Sequence, residues 1–252
     1  MKPNPIVGGG TSEEAWRTSR PLAELATISA AELVPVGKRA VIIAPHPDDE
    51  VLSCGGLLQQ LAELGRALLI ISVTDGDASH PGSQRWPAPR LIQIRPLESS
   101  EALQRLGLPV DNLQWLRGGF ADSGVAGEEA RLQAFLQEHL RADDVVFCTW
   151  REDGHSDHEA VGRASQAATH ACGARLIELP VWTWHWASPE DSRVPWDRAR
   201  KLLLTPAMLA RKQHAVQAFT SQLEGDPAIG LGPVLAPYVL ERLLRPFEVV
   251  FL

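Results

Sequence analysis

Two short stretches of the chain concentrate side chains able to bind a cation and move protons. The first is Pro45-His46-Pro47-Asp48-Asp49-Glu50; the second is Trp150-Arg151-Glu152-Asp153-Gly154-His155-Ser156-Asp157-His158. Imidazoles and carboxylates without a thiolate suit a catalytic divalent ion with an open coordination position, flanked by general acid–base groups. Each stretch alone has a plainer explanation. Asp48 or Asp49 serves as a helix cap, and Ser156-Asp157-His158-Glu159 reads as a capping box with Ser at N-cap and Glu at N3. Two such clusters meeting in one crevice are harder to explain structurally, because gathered titratable groups need a cation or a reaction to justify them.

The elements around these stretches put both on one rim. Residues 39–44 form an apolar, β-branched run that predicts a buried strand, followed by a helix over 49–64 with Gly65 at its end. Further strands are predicted over 67–74, 112–116, 145–149 and 175–181, alternating with helices over 91–106, 128–140 and 158–172. Strands apolar throughout and separated by helices imply a doubly wound, Rossmann-like α/β domain with a mostly parallel sheet. In such a sheet ligands bind beyond the carboxyl ends of the strands. The first cluster follows the first strand and the second follows the fourth, so the two face the same crevice. Beyond Trp182 the pattern weakens to a helix over 207–223 and a closing strand over 248–251. Residues 1–37 read as an N-terminal extension leading into one domain over 38–252.

Composition narrows the partners. The 252 residues are 44% hydrophobic and 22% charged, which predicts a globular domain with a sizeable core. Lys and Arg total 24 against 31 Asp and Glu, a net charge of −7, with no basic run to track phosphates; nucleic acid is not an expected partner. The apolar run at 67–73 is too short to span a bilayer, and the first ten residues lack the apolar core of a secretion signal. A cytoplasmic protein that does not engage membranes is the expectation. Cys54, Cys148 and Cys172 are odd in number and widely spaced, which fits neither a disulfide framework nor a cysteine-rich zinc site.

Ala44-Pro45-His46-Pro47-Asp48-Asp49-Glu50, with Gly55-Gly56 in the following helix and His155-Ser156-Asp157-His158 downstream, resembles the PIG-L or LmbE-like N-acetylglucosaminyl deacetylases. The resemblance runs in weaker form from about residue 38 to 181. It implies an LmbE-like fold and a zinc-dependent amide hydrolase acting on an N-acetylated amino sugar or conjugate. It also implies that His46, Asp49 and His158 bind the metal, Asp48 is the general base, His155 stabilises the oxyanion and Asp157 orients one of the histidines. The residue chemistry agrees: a metal held by two imidazoles and a carboxylate lowers the pKa of its water to about 7. Asp48, beside a ligand but unbound, is placed to take that proton, and a protonated His155 to meet the developing charge. Iron(II) or another divalent ion suits the same ligands.

Other rim residues carry weaker signals. On the resemblance, Arg95 in Arg95-Pro96-Leu97-Glu98 holds a sugar hydroxyl or phosphate, the alternative being a local pair with Glu98 on a solvated face. Asp122 sits where an acidic residue contacts the sugar, although Phe120-Ala121-Asp122-Ser123 departs from the family's Asp-Gly form. Asp75 and Asp77 are turn formers first. Trp182, Trp184, Trp186 and His185 form an aromatic cluster that either stacks on a sugar or packs. Two other functions use the same residues: an amidase for a thiol conjugate or other non-sugar amide, and a catalytically silent sugar-binding α/β module.

Overall fold

Unbroken aliphatic sequence makes Arg39–Ala44 (β1) a strand buried along almost its whole length. Six more strands complete the sheet: β2 Ala67–Thr74, β3 Gln114–Phe120, β4 Val145–Thr149, β5 Arg175–Leu179, β6 Ala199–Leu203 and β7 Phe247–Phe251. Their order is β3-β2-β1-β4-β5-β7-β6 in this computed structural model, which describes residues 6–252. Strands β1 to β5 are parallel, and β7 runs antiparallel to both β5 and β6. The fold is therefore the mostly parallel, Rossmann-like α/β architecture expected from the alternation of strands and helices.

Six helices of seven or more residues among the described ones cover the sheet: α1 Asp49–Glu63, α2 Ala88–Arg105, α3 Glu129–His139, α4 Ser156–Cys172, α5 Pro206–Val216 and α6 Pro237–Leu243. Alternation along β1 feeds both faces. Ala40 and Ile42 pack with Leu57, Leu58 and Leu61 of α1, whereas Val41 and Ile43 pack with Leu132 and Leu136 of α3 and Val161 of α4. Successive side chains of a strand point to opposite faces, so a strand buried on both must be apolar at every position. No helix among the described residues is long and apolar enough to cross a membrane.

Chain direction around the sheet reverses between β1 and β4. From β1 the chain winds outward to β2 and β3, then returns to β4 on the other side of β1 and continues to β5. A crevice opens at the carboxyl ends of strands flanking such a switch point, and both His–Asp stretches begin there.

Two expectations need adjustment, and one strand was not expected. The third strand starts two residues later because Val110–Asn112 forms a 3-10 turn, and it runs on through Gly118 and Gly119 to Phe120. The helix expected over 207–223 is two, α5 and a four-residue turn at Thr220–Leu223, separated at Ala218 and Phe219. Strand β6 carries Arg200 and Lys201 in a run too short and too charged to read as buried. Of the N-terminal extension, residues 1–5 lie outside the described ones. Trp16, Leu22 and Leu33 from its remainder are buried in the same cluster as α1, and Trp16 Nε1 donates to Trp184 O at 2.8 Å.

Helix α1 is broken inside the first turns after the Asp-rich motif. Cys54 takes φ −145°, ψ 25°, which interrupts the helical hydrogen bonds. A buried ion pair fills the break: Lys212 Nζ donates to Leu52 O at 2.9 Å and to Glu248 Oε1 at 2.6 Å. The Glu248 carboxylate in turn accepts from the backbone N–H of Gly56 and Leu57 at 2.7 and 2.8 Å. A Cβ at Gly56 would lie 2.1 Å from Leu204 Cδ2, so the glycine lets Leu204 pack against this turn. Removing one member of a buried pair strands the other charge, at a cost of about 3–5 kcal/mol. Glu248→Gln is therefore expected to lower Tm by ~10 °C, with Lys212→Met in the same chain recovering part of the loss. Calorimetric melting of the two variants checks this, and unchanged melting would remove the pair from the account.

Candidate metal centre

The loop after β1 places His46, Asp48 and Asp49 in one turn, with Asp49 opening α1. Asp49 Oδ2 lies 3.2 Å from His46 Nδ1 and 3.2 Å from His158 Nε2. His158 reaches it from the first turn of α4, after β4. All three residues are nearly or fully buried. Two donors bound tetrahedrally at the zinc–nitrogen and zinc–oxygen distances sit about 3.3 Å apart, the spacing that Asp49 Oδ2 keeps to each imidazole.

The tautomers support this. Asp153 is fully buried, and its carboxylate accepts from the backbone N–H of Val181, Trp182 and Thr183, each at 2.9 Å. Thus it is an acceptor toward His158 Nδ1 at 2.9 Å as well, which leaves the lone pair of His158 on Nε2. That Nε2 is buried without a hydrogen-bond partner. An orphaned imidazole nitrogen, aimed at a carboxylate and backed by a second one, is the arrangement in which histidine meets a metal. His46 follows the same logic from the other side. Its Nε2 faces Asp157 Oδ2 at 3.2 Å and Asp122 Oδ1 at 3.4 Å. Both carboxylates are fixed by backbone donors, Asp157 by Ser123 N at 2.7 Å and Asp122 by Ala78 N at 2.8 Å. The His46 proton belongs on Nε2, and Nδ1 is free to turn its lone pair toward Asp49. His46, His155 and His158 also offer nitrogens close enough to share one ion.

Electrostatics point the same way. Burial alone lowers both imidazoles, but the surrounding carboxylates overcome it: His158 is raised to about 9 and His46 well above its ordinary value. Asp49, despite burial, is held well below the carboxylate range by His158 and His46. The pocket calls for positive charge.

Asp48 stands beside this centre without joining it. Its backbone adopts φ 144°, ψ −29°, outside the ordinary range for a residue with a side chain, and the side chain caps no helix. Strain of this sort costs about 1–3 kcal/mol and persists only where neighbours impose it. Glu50 Oε2 accepts from Asp48 N at 3.1 Å. The Arg95 guanidinium donates through Nη2 to Pro47 O at 2.8 Å and to Asp48 Oδ2 at 2.9 Å, and through Nη1 to Gly76 O at 2.7 Å. Burial pushes Asp48 up to about 7, with Arg95 opposing and Asp49 adding to the rise.

His155 is the N-cap of α4, its Nδ1 accepting from Asp157 N at 3.2 Å. The N-cap therefore lies one residue before the expected Ser156, and the expected Ser–Glu box does not form. The proton of a neutral His155 is then on Nε2. Burial, with His158 and His46 adjacent, pushes its pKa down to about 3, which favours a neutral N–H donor over the protonated form expected from the sequence.

Arg95 and Asp122 both line the cavity, each with polar atoms engaged by protein. Arg95 is buried with both terminal nitrogens engaged by protein, and Glu98 bonds Ser221 at 2.6 Å instead of pairing with it. Asp122 lines the cavity, but its two oxygens face His46 and Ala78 N, behind the centre. Asp75 pairs with Arg117 at the surface. Trp182, Trp184 and His185 line the cavity, whereas Trp186 stacks on Trp150 with ring centroids 6.3 Å apart. Sequence reasoning gave no role to Asp153, the anchor of both His158 and the chain after β5. Its signal was the Asp153-Gly154 turn five residues before His158, with Gly154 at φ +93°.

His46, Asp48, Asp49 and His155 line one end of a cavity of about 250 Å³. Residues 41–169, about half of the chain, match the model of the family described as PIG-L: GlcNAc-PI de-N-acetylase. The chain belongs to that family. Among curated proteins it is 28% identical over 186 residues to a 1D-myo-inositol 2-acetamido-2-deoxy-alpha-D-glucopyranoside deacetylase of Rhodococcus opacus, covering 65% of this chain and 60% of that protein. A protein of the same description from Segniliparus rotundus is 33% identical over 197 residues, covering 66% and 62%. The matches thus span less than two thirds of these relatives. Among solved structures, a conserved protein of Thermus thermophilus superposes with TM-score 0.51 at 26% identity, covering 75% of this chain and 81% of that one. A deacetylase–teicoplanin complex gives TM-score 0.60 at 20% identity over 85% and 97%, a likeness of fold.

Proposed function

We propose that this PIG-L family protein is a metal-dependent amide hydrolase that removes an N-acyl group, foremost acetyl, from an amino-sugar conjugate. The observation that carries the proposal is the convergence of the orphaned His158 Nε2, His46 Nδ1 and Asp49 Oδ2 beside the buried Asp48 at one end of a cavity. The names of the relatives are in keeping with it, each being described as a sugar deacetylase. We assign His46, Asp49 and His158 as ligands. A bound divalent ion supplies Lewis acidity and lowers the pKa of its water.

The chain's own groups do the rest. Asp48 takes the proton of the attacking water and passes it to the nitrogen of the leaving amine, so that amide and water yield carboxylate and free amine. His155 Nε2–H donates to the amide oxygen as that oxygen gains charge. Asp157 and Asp122 hold His46, and Asp153 holds His158. Zinc is our first choice of ion on ligand chemistry. A fold neighbour is described as the zinc-inhibited form of teicoplanin deacetylase, so ions are best titrated to stoichiometry and iron(II) tried alongside. The cytoplasmic location expected from the sequence belongs to this reading; three free cysteines accord with a reducing compartment.

The test is acyl release from a panel of N-acetylated sugars, sugar conjugates and simple amides, each with enzyme as purified, chelated, and reloaded with one equivalent of metal. The reading requires acetate release from at least one amino-sugar amide, lost on chelation and restored on reloading. Release indifferent to chelation would overturn it.

Arg95 provides a second check. As a substrate contact its loss would raise KM; as the group that holds Asp48 its loss lowers kcat. Arg95→Met is expected to reduce kcat by roughly 10–100-fold with KM within a few-fold of the parent. A raised KM with unchanged kcat would restore Arg95 to the substrate.

A further inference from the structure

The cavity has two unlike halves, and the division follows the chain. Residues from the family-matched segment line it with polar groups, among them His46, Asp48, Asp122, Ser123 and His155. The apolar part of the lining comes from residues beyond that segment, apart from Leu52. It is built of Leu52, Val181, Trp184, Leu235, Val239 and Leu243, all of them buried. The last two lie on α6 one turn apart, the spacing that puts side chains on one face of a helix.

Arg242, His185 and Trp184, and the amide nitrogen of Gln222, are bonded to protein in this part of the lining. Arg242 Nη1 donates to Gly9 O at 2.8 Å and Thr11 O at 2.7 Å, and Nη2 donates to His185 Nδ1 at 3.0 Å. His185 Nε2 therefore carries the proton it gives to Val7 O at 3.1 Å. Gln222 Nε2 donates to Ser221 Oγ at 2.9 Å, and Trp184 Nε1 to Pro180 O at 3.2 Å. A polyhydroxylated group entering here would shed water without recovering its hydrogen bonds, which is unfavourable. An apolar group would lose nothing and bury its surface.

We infer that this wall is a subsite for an apolar group of at least several carbons attached to the substrate amide, on either its acyl or its glycosidic side. The inference rests on the amide-hydrolase reading for its place in a reaction, but the subsite itself is a matter of binding. Continuity decides the occupant: the apolar wall and the metal end line one cavity, so what sits on the wall is bonded to what is cleaved.

The test separates the subsite from the reaction. Methyl and hexyl glycosides of N-acetylglucosamine, and methyl N-hexanoylglucosaminide, are titrated calorimetrically into metal-loaded protein and assayed for acyl release. Binding of one of the two chain-extended ligands is expected to exceed that of the methyl acetyl compound by tenfold or more, well within what burial of about four or five methylenes supplies. Which of the two gains identifies the side that carries the apolar group. Leu243→Gln and Val239→Gln are expected to bring this ratio toward one, a comparison that overall loss of activity does not disturb. Equal binding of all three ligands, or a ratio that survives both substitutions, overturns the subsite. Tight hexyl binding with no amide hydrolysed upholds the subsite and overturns the hydrolase reading instead.

Discussion

His158→Ala is expected to purify with far less than one equivalent of metal and to release no acyl group above background. The substitution removes the one ligand delivered by α4, leaving His46 and Asp49 from the same turn after β1. Two donors from one turn make a weak site, whereas a third from a separate strand fixes the geometry. The fold should survive. Asp153 keeps its bonds to the backbone of Val181, Trp182 and Thr183 when the imidazole is gone, and the chain after β5 stays anchored. A graded companion is Asp153→Asn, which spoils the acceptor behind His158 Nδ1 and is expected to weaken metal affinity by about 10–100-fold. Metal stoichiometry and dissociation constants, measured alongside thermal melting, check both. Full occupancy in His158→Ala would remove this residue from the ligand set.

Asp48→Asn is expected to behave in the opposite way, retaining metal while losing turnover. The amide oxygen can still accept from Arg95, so the strained backbone at φ 144° keeps its support. What disappears is the group that takes and returns a proton, and general acid–base catalysis is worth about 10²–10⁴ in rate. kcat should fall by that factor with metal content near one equivalent and KM little changed. Turnover within tenfold of the parent would strip Asp48 of its role. A loss of metal in step with activity would make it a ligand instead.

The parts of this picture legible in the sequence were those written in local chemistry. Residues 39–44 admit only a buried strand, and the Asp-rich turn after them begins where that strand ends. With a second His–Asp stretch after the strand at 145–149, the doubly wound topology brings both to the crevice between β1 and β4. What stayed hidden depends on contacts distant in the chain. The Asp122 carboxylate faces inward because Ala78 N and His46 lie there to meet it, 44 and 76 residues away. Arg95 looked like a rim cation; it is buried because Gly76, whose Cβ would collide with the guanidinium at 2.0 Å, leaves room for it behind Asp48. Two residues of the apolar wall, Val239 and Leu243, come from α6, whose side chains meet the cavity only through tertiary packing. No period or motif announces such an encounter.

The central claim is that one cation is shared by three named side chains. Anomalous X-ray scattering above and below the absorption edge of the loaded metal locates that cation directly. The account predicts a single strong peak bonded to His46 Nδ1, Asp49 Oδ2 and His158 Nε2, with Asp48 beside it and unbound. A peak bonded elsewhere, or none at these residues in protein carrying one equivalent of metal, would contradict it.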